Sequence, residues 1–148
     1  IVFTPSIESD VAPLAALADA ALSTGCTIHA MRDPTRGGVA ATLCEWVTGD
    51  TDIEIDEQML PIRPDVSAAC GILGMDPLYI ANEGIMVLSV PECDAENVLA
   101  ALRSNPLGKN AAVIGQVKKG QGHVYALTQF GTKRKVMLPQ GELLPRIC

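Results

Sequence analysis

Apolar residues recur at helical spacing in four stretches of the chain, which we expect to form helices over residues 10–25, 38–49, 66–74 and 94–102. Asp10 and Asp94 stand where a side chain can cap the first and the fourth of these helices. Pro13 falls in the first turn, where its missing N–H is harmless, and a glycine ends each of the first three stretches.

Other stretches have the alternating or continuously apolar pattern of β-strands. The segment 118–122 contains two glycines and predicts a hairpin between its flanking strands. A short turn or helix is expected over 76–81. Because helices and strands interleave and the chain ends in adjacent strands, we expect an α+β fold in which helices cover a mixed β-sheet. The predicted strands are residues 28–32, 52–56, 85–90, 112–117, 123–128 and 136–138.

Composition narrows the class of protein. The 148 residues suffice for one domain, and 48% apolar residues with few aromatic ones predict an aliphatic core. A net charge of −6 argues against nucleic acid and against an anionic membrane surface as partners. The five cysteines are widely spaced and include no Cys-x-x-Cys pair, which is typical of free thiols in a reducing compartment. We therefore expect a cytoplasmic protein without a membrane-spanning segment.

The densest functional signal inside the predicted fold is the stretch from residue 32 to residue 38, which joins a strand end to a helix N-terminus. Its two glycines allow backbone N–H groups to approach a ligand, and the helix dipole there favours an anion. Its two arginines carry fork-shaped donors suited to phosphate or carboxylate. Alternatively, Asp33 or Thr35 caps the helix and the arginines are solvated or salt-bridged. The stretch reads Arg32, Asp33, Pro34, Thr35, Arg36, Gly37 and Gly38.

A second candidate stretch is formed by Asn82, Glu83 and Gly84, which stand at the mouth of the apolar strand 85–90. A carboxylate at a strand entry can point into a cleft, and partial desolvation there would make Glu83 a candidate general base. The alternative is a turn with a solvated glutamate.

Three further patterns are weaker signals. Cys26 and His29 have the spacing of half a metal site, but no second pair completes it, so we predict no metal ligands and take His29 as a core or cleft residue. The cysteines other than the last fall in or beside predicted helices and should pack as small hydrophobic residues. The basic run 133–135 is expected to be a solvated turn.

The chain ends in Cys148, whose thiol we expect to lie on a short, stiff and mobile tether because Pro145 cannot continue a helix. From the terminal residue alone, an incidental exposed thiol is the simpler interpretation. We divide the chain into a linker or strand remnant over 1–9, a domain over 10–139 and a tail over 140–148.

Four stretches together resemble the HypE family of hydrogenase maturation factors, the carbamoyl dehydratases of the aminoimidazole-ribonucleotide-synthetase-like (PurM-like) superfamily. The resemblance covers nearly the whole chain but only the C-terminal domain of that family. Its most specific part is the Pro-Arg-Ile-Cys ending. The stretches are residues 28–38, 76–84, 106–109 and 145–148.

The resemblance implies a PurM-like C-terminal domain with an extended mobile tail, and it implies a reaction. A carbamoyltransferase partner carbamoylates Cys148, and ATP drives dehydration of the carboxamide to a thiocyanate, whose cyanide becomes a ligand of the iron in a nickel-iron hydrogenase. In this interpretation Glu83 is the general base. The loop 32–38 and Asn82 contact the nucleotide, its phosphate or the tail. The cysteine is carried by Pro145, Arg146 and Ile147.

The same resemblance implies ATP with magnesium as cofactors, bound mainly by an N-terminal domain that this chain lacks. Its implied partners are a carbamoyltransferase maturation factor and an iron-carrying maturation scaffold, and the full-length protein is expected to be a homodimer. Two other functions stay open. The chain alone could be a non-catalytic carrier and docking module, or it could belong to a related ATP-dependent synthetase of the selenophosphate or aminoimidazole type, in which Cys148 would be incidental.

Overall fold

A computed structural model describes residues 7–138 of the chain. In this range the chain forms four α-helices and six strands, joined in places by single-turn 3₁₀ helices. The predicted α+β class is confirmed, and all four expected helices are present. The helices are α1 (Ala15–Leu22), α2 (Gly38–Trp46), α3 (Pro64–Leu73) and α4 (Ala95–Arg103), and the strands are β1 (Ala30–Arg32), β2 (Thr51–Asp56), β3 (Val87–Ser89), β4 (Gly115–Lys119), β5 (Val124–Leu127) and β6 (Lys133–Val136).

Four strands form a mixed sheet in the order β4-β2-β5-β6, while β1 pairs with β3 in a separate antiparallel ribbon. The predicted hairpin between β4 and β5 is wrong, because β2 lies between them, antiparallel to β4 and parallel to β5. The segment 118–122 is instead a crossover past the start of β2. Asp52 holds it there, since its carboxylate accepts the backbone N–H groups of Gln121 and His123, both at 2.8 Å.

Two hydrophobic clusters hold these elements together. The larger one lies between the four-stranded sheet and α2 and includes Ile53 of β2. The smaller one lies between α1 and α4 and includes Leu17 and Leu102. Strand β3 joins the two, because Val87 belongs to the larger cluster while Leu88 packs against the smaller one. The β1–β3 ribbon and the N-terminus of α2, which frame the predicted site, are therefore fixed by both cores.

Two predicted helix caps are wrong. Helix α1 begins only at Ala15, and Asp10 bonds to a distant loop instead of capping it. Asp94 precedes α4, but its carboxylate accepts the backbone N–H of Thr27 at 3.1 Å and makes no capping bond. In both cases the carboxylate joins segments that are far apart in sequence, which a local capping pattern does not show.

The predicted solvated turn over 133–135 is also wrong, because these residues belong to β6. Lys133 forms an ion pair with Glu54 of β2. Arg134 lies 2.5 Å from a carboxylate oxygen of Glu57 and 2.8 Å from one of Asp76. Acidic residues on neighbouring elements thus form ion pairs with this basic strand. Its sequence by itself has the composition of a surface turn.

The helix ends follow the glycine pattern only in part. Gly25 and Gly74 have positive φ angles of 71° and 66° just after α1 and α3, as predicted. Helix α2 ends before Gly49, because Val47 is already extended. No helix within residues 7–138 is long and apolar enough to cross a membrane.

Candidate functional site

The loop between β1 and α2 contains two consecutive glycines in the left-handed region. Gly37 has φ 71° and Gly38 has φ 64°, a conformation that side chains with a Cβ rarely adopt. No side chain caps α2, so the capping role considered for Asp33 or Thr35 is not found. The first N–H groups of this helix therefore lack a side-chain cap and carry the partial positive charge of the helix dipole.

The two arginines of this loop have different surroundings. Arg32 forms an ion pair with Glu45 of α2, and 40% of its side chain is exposed. Arg36 is exposed and forms no ion pair within the described residues. The salt-bridged alternative is therefore correct for Arg32, whereas Arg36 keeps its guanidinium accessible to an anion.

The second predicted stretch packs directly against this loop. Asn82 donates its backbone N–H to the carbonyl of Pro34 at 3.2 Å and its side-chain amide to the carbonyl of Ile80 at 2.7 Å. Gly38 approaches the same segment so closely that a Cβ would lie 2.5 Å from the carbonyl oxygens of Leu78 and Ile80. The structure thus brings together the two stretches that local patterns singled out separately.

Glu83 lies in an exposed turn whose backbone N–H groups bond to the carboxylate of Asp10. The Oδ2 atom of Asp10 accepts the N–H of Glu83 at 2.9 Å and that of Gly84 at 3.3 Å. Gly84 lies against the backbone of residues 10–12, where a Cβ would overlap the carbonyl of Asp10. The Glu83 side chain is exposed, so the residues that the structure describes do not supply the desolvation expected around a general base.

No sequence pattern pointed to Asp10 as part of this site. It stands 73 positions before Glu83, and its place before an apolar helical stretch favours a cap. The glycine at position 84 was the one available signal, since a glycine in a turn permits a close backbone approach, but it does not name the approaching segment.

The cysteines of the described range are mostly packing residues. Burial, with the negative charge of Glu45, raises the pKa of Cys44, and burial raises the pKa of Cys70. Thiols shifted in this direction stay protonated near neutral pH and are poor nucleophiles. Cys26 is half-buried against the smaller core, as predicted, whereas Cys93 is exposed, contrary to prediction.

Two further predictions concern histidine and metal. His29 is exposed rather than placed in the core, and its backbone N–H bonds to the carbonyl of Ser89 at 2.8 Å. Residues 7–138 contain no cluster of three or more His, Cys, Asp or Glu side chains that could hold a metal ion. The predicted tail residues Pro145, Arg146, Ile147 and Cys148 lie outside the described residues.

A groove of about 350 Å³ lies beside β6 and contains none of the predicted site residues. Its floor is apolar, with Leu60 and Leu78 among the lining residues. Its charged wall consists of Arg134 between Glu57 and Asp76, which pair with it. Because two carboxylates surround one guanidinium, the groove does not favour an anion.

Residues 6–127 match the family of AIR synthase related proteins, C-terminal domain, and the chain belongs to this family. The predicted resemblance to hydrogenase maturation factors is confirmed by the relatives. The carbamoyl dehydratase HypE of Rhodobacter capsulatus is 45% identical over 150 residues, which cover 100% of this chain and 44% of the relative. The chain thus spans less than half the length of the curated relatives it matches.

Solved structures of HypE have the same fold. The hydrogenase maturation protein HypE in complex with ATP superimposes with a TM-score of 0.89 at 39% identity, covering 100% of this chain and 46% of that one. HypE in a HypE–HypF complex superimposes with a TM-score of 0.87 at 40% identity, covering 94% of this chain and 46% of that one. The likeness includes the β1–α2 loop and the Glu83 turn, since it extends over nearly all of the chain.

Proposed function

We propose that the full-length protein containing this chain dehydrates a carbamoyl group on the Cys148 thiol to a thiocyanate with the use of ATP. The product supplies the cyanide ligand for the iron of a nickel-iron hydrogenase. The observation that carries this proposal is the 45% identity over the whole chain to a carbamoyl dehydratase. The backbone bond from Asn82, the neighbour of Glu83, to Pro34 supports the proposal, because it joins the Glu83 turn to the loop that we propose to bind phosphate.

The reaction requires activation of a poor leaving group and removal of protons. Transfer of the terminal phosphoryl group of ATP to the carboxamide oxygen gives ADP and a phosphorylated imidate, with loss of one N–H proton. Breaking the C–O bond then releases phosphate, and loss of the second N–H proton leaves a C≡N group on sulfur. Glu83 is the candidate acceptor for a proton on nitrogen. Because Glu83 is exposed, we expect the tail or the rest of the protein to cover it during the reaction.

The β1–α2 loop is proposed to hold the negative charge that develops on the phosphate. Gly37, at the N-cap of α2, has no side chain that would block an approaching group, whereas Gly38 is buried against the carbonyls of Leu78 and Ile80. Arg36 adds an exposed guanidinium. The backbone hydrogen bond from Asn82 to Pro34 joins this loop to the Glu83 turn.

The tail 140–148 is proposed to be the carrier, with Pro145, Arg146 and Ile147 presenting Cys148 in turn to a carbamoyl donor, to Glu83 and to an iron scaffold. The carbamoyltransferase partner follows from the relative that was solved in a HypE–HypF complex. ATP and magnesium are proposed to bind mainly outside this chain, in a homodimeric full-length protein. One relative was solved in complex with ATP.

By itself the 148-residue chain is proposed to act as a carrier and docking module without hydrolysing ATP. It spans less than half the length of its relatives, and one of these was solved in complex with ATP. The family description alone would also fit an ATP-dependent synthetase of the aminoimidazole or selenophosphate type. The hydrogenase-related names of the relatives favour the dehydratase.

The decisive experiment is the intact mass of the full-length protein after incubation with carbamoyl phosphate, ATP and a carbamoyltransferase. We expect a carbamoyl adduct on Cys148 that then loses the mass of one water molecule. The Cys148→Ser variant should acquire no adduct and should keep the thermal transition of the wild type. A matched control is Cys93→Ser, which removes an exposed thiol of the described range and should behave as the wild type.

The Glu83→Gln variant should accumulate the carbamoyl form without the loss of water, because the base is removed while the carrier is kept. Glu96→Gln, which changes an exposed glutamate on α4, is its control. An unmodified Cys148 in the full-length protein would contradict the carrier role. ATP hydrolysis by the 148-residue chain alone would contradict its assignment as a non-catalytic module.

A further inference from the structure

The turn that carries Glu83 is fixed by a carboxylate from a segment distant in sequence. We propose that Asp10 is a positioning residue for Glu83, a role that rests on the proposed function of Glu83 as the base. Asp10 does not touch the reacting group in this proposal. It acts by holding the backbone from which the Glu83 side chain projects.

Both backbone N–H groups held by Asp10 converge on one carboxylate oxygen. Glu83 donates at 2.9 Å and Gly84 at 3.3 Å to Oδ2. Hydrogen bonds to a charged acceptor are stronger than those between neutral groups. The close approach of Gly84 to the backbone of residues 10–12 adds a steric contact on the same side. Two bonds and a contact thus fix the peptide units on either side of the Glu83 Cα.

The other side of the turn is anchored to the proposed phosphate loop. Asn82, the residue before Glu83, donates its N–H to the carbonyl of Pro34. Glu83 is therefore bracketed between a bond to the β1–α2 loop and a bond to Asp10. Bonds on both sides of Glu83 thus restrict the backbone from which its side chain projects.

The segment that carries Asp10 is itself attached to the domain. The guanidinium of Arg63, at the start of α3, donates to the carbonyl of Glu8 at 3.4 Å. The same guanidinium is oriented by Asp65, at 2.5 Å. Asp10 is thus held from its own side as well, and it can act as a fixed point for the turn.

These bonds lie at the surface and outside both hydrophobic clusters, so their loss should not unfold the domain. Their loss should instead release the Glu83 turn. A displacement of about 1 Å in a reacting group can cost a factor of about 10² in rate. The expected signature is a loss of rate without a comparable loss of stability.

The test compares Asp10→Ala and Asp10→Asn in the full-length protein, with Asp19→Ala on α1 as an exposed control. Asparagine keeps an oxygen that can accept both N–H groups. We expect Asp10→Ala to lower kcat of thiocyanate formation by roughly 10- to 100-fold, with KM for ATP nearly unchanged. Asp10→Asn should restore most of the rate. Hydrogen–deuterium exchange in peptides that cover 82–84 should quicken in Asp10→Ala alone.

A double variant separates this inference from the proposed function. If Asp10 acts through Glu83, Asp10→Ala should have little further effect on rate in the Glu83→Gln background. Multiplied losses in the double variant, or unchanged exchange at 82–84 in Asp10→Ala, would overturn the positioning role. A wild-type rate in Glu83→Gln alone would instead remove Glu83 as the base. In that case any rate loss in Asp10→Ala would have another cause, and the positioning role would fall with it.

Discussion

Two loops of this chain are held by aspartates in the same chemical manner. Asp52 accepts the backbone N–H groups of Gln121 and His123 on one oxygen, both at 2.8 Å. Asp10 likewise accepts two backbone N–H groups of the Glu83 turn on one oxygen. In each case the aspartate and its loop are about 70 positions apart, so each contact joins segments that only the folded chain brings together.

The two contacts differ in what the held loop connects. Asp52 belongs to β2, which is paired on both sides, and its loop joins the two strands that flank it. Asp10 lies before α1 outside regular structure, and the turn it holds carries the exposed Glu83. The Asp52 contact therefore stabilises the crossover between two strands of the sheet. In our proposal, the same kind of contact at Asp10 fixes the position of the reactive Glu83 carboxylate.

The largest expected difference concerns a glycine beside each aspartate. A Cβ on Gly84 would overlap the backbone of Asp10, whereas a Cβ on Gly120 would meet only the end of the Asp52 side chain. Because backbone yields less readily than a side chain, Gly84→Ala should lower the free energy of unfolding by about 1–3 kcal/mol. Gly120→Ala should lower it less, since it displaces the Asp52 side chain and its bonds to Gln121 and His123 rather than backbone. Chemical denaturation of both variants measures the difference, and an equal loss would contradict this ranking.

A smaller effect on the free energy of unfolding should show whether the charge of Asp52 or the position of its accepting oxygen holds the crossover. The backbone N–H groups of Gln121 and His123 lower the pKa of Asp52. A group with a lowered pKa stabilises the fold above its unfolded pKa of about 3.9, and this contribution is lost as pH falls through the folded value. Asp52→Asn keeps the accepting oxygen and removes the charge. Its deficit in unfolding free energy should therefore be largest at neutral pH and shrink below about pH 4.

The control for that series is Asp19→Asn, because Asp19 is exposed on α1 and holds no loop. The pH dependence of Asp52→Asn is measured against this variant under the same conditions. If the deficit of Asp52→Asn were constant with pH, the geometry of the side chain rather than its charge would hold the crossover.

The fold was predictable where the information is local. The alternation over 52–56 predicts a strand with one face in water, and Ile53 and Ile55 of β2 are buried as this pattern requires, while Gly74 marks the end of α3 as predicted. The strand order was not predictable in this way. A glycine-rich link between two strands favours a hairpin, whereas the pairing of β2 with both of them, which exists only in the folded chain, places β2 between them.

The same division applies to the site. The β1–α2 loop and the Glu83 turn each have a recognisable local pattern, and the structure places them side by side through Asn82. Asp10 has only the pattern of a helix cap, and the partner of Arg32 was not evident from spacing along the chain. Contacts between residues that are separated in sequence therefore connect Asp10 to the Glu83 turn and Arg32 to Glu45.

The smallest expected effect tests that last assignment. Arg32 pairs with Glu45 at the surface, and exposed ion pairs contribute about 0.2–1 kcal/mol, less at high salt. Arg32→Ala should therefore lower the free energy of unfolding by less than about 1 kcal/mol at low salt and by less still near 1 M salt. In the full-length protein, Arg32→Ala should leave the rate of thiocyanate formation within about threefold of the wild type. Arg36→Ala removes the exposed guanidinium and should slow thiocyanate formation by about tenfold or more. Equal losses of rate in the two variants would mean that Arg32 leaves Glu45 during the reaction and that both arginines hold the phosphate.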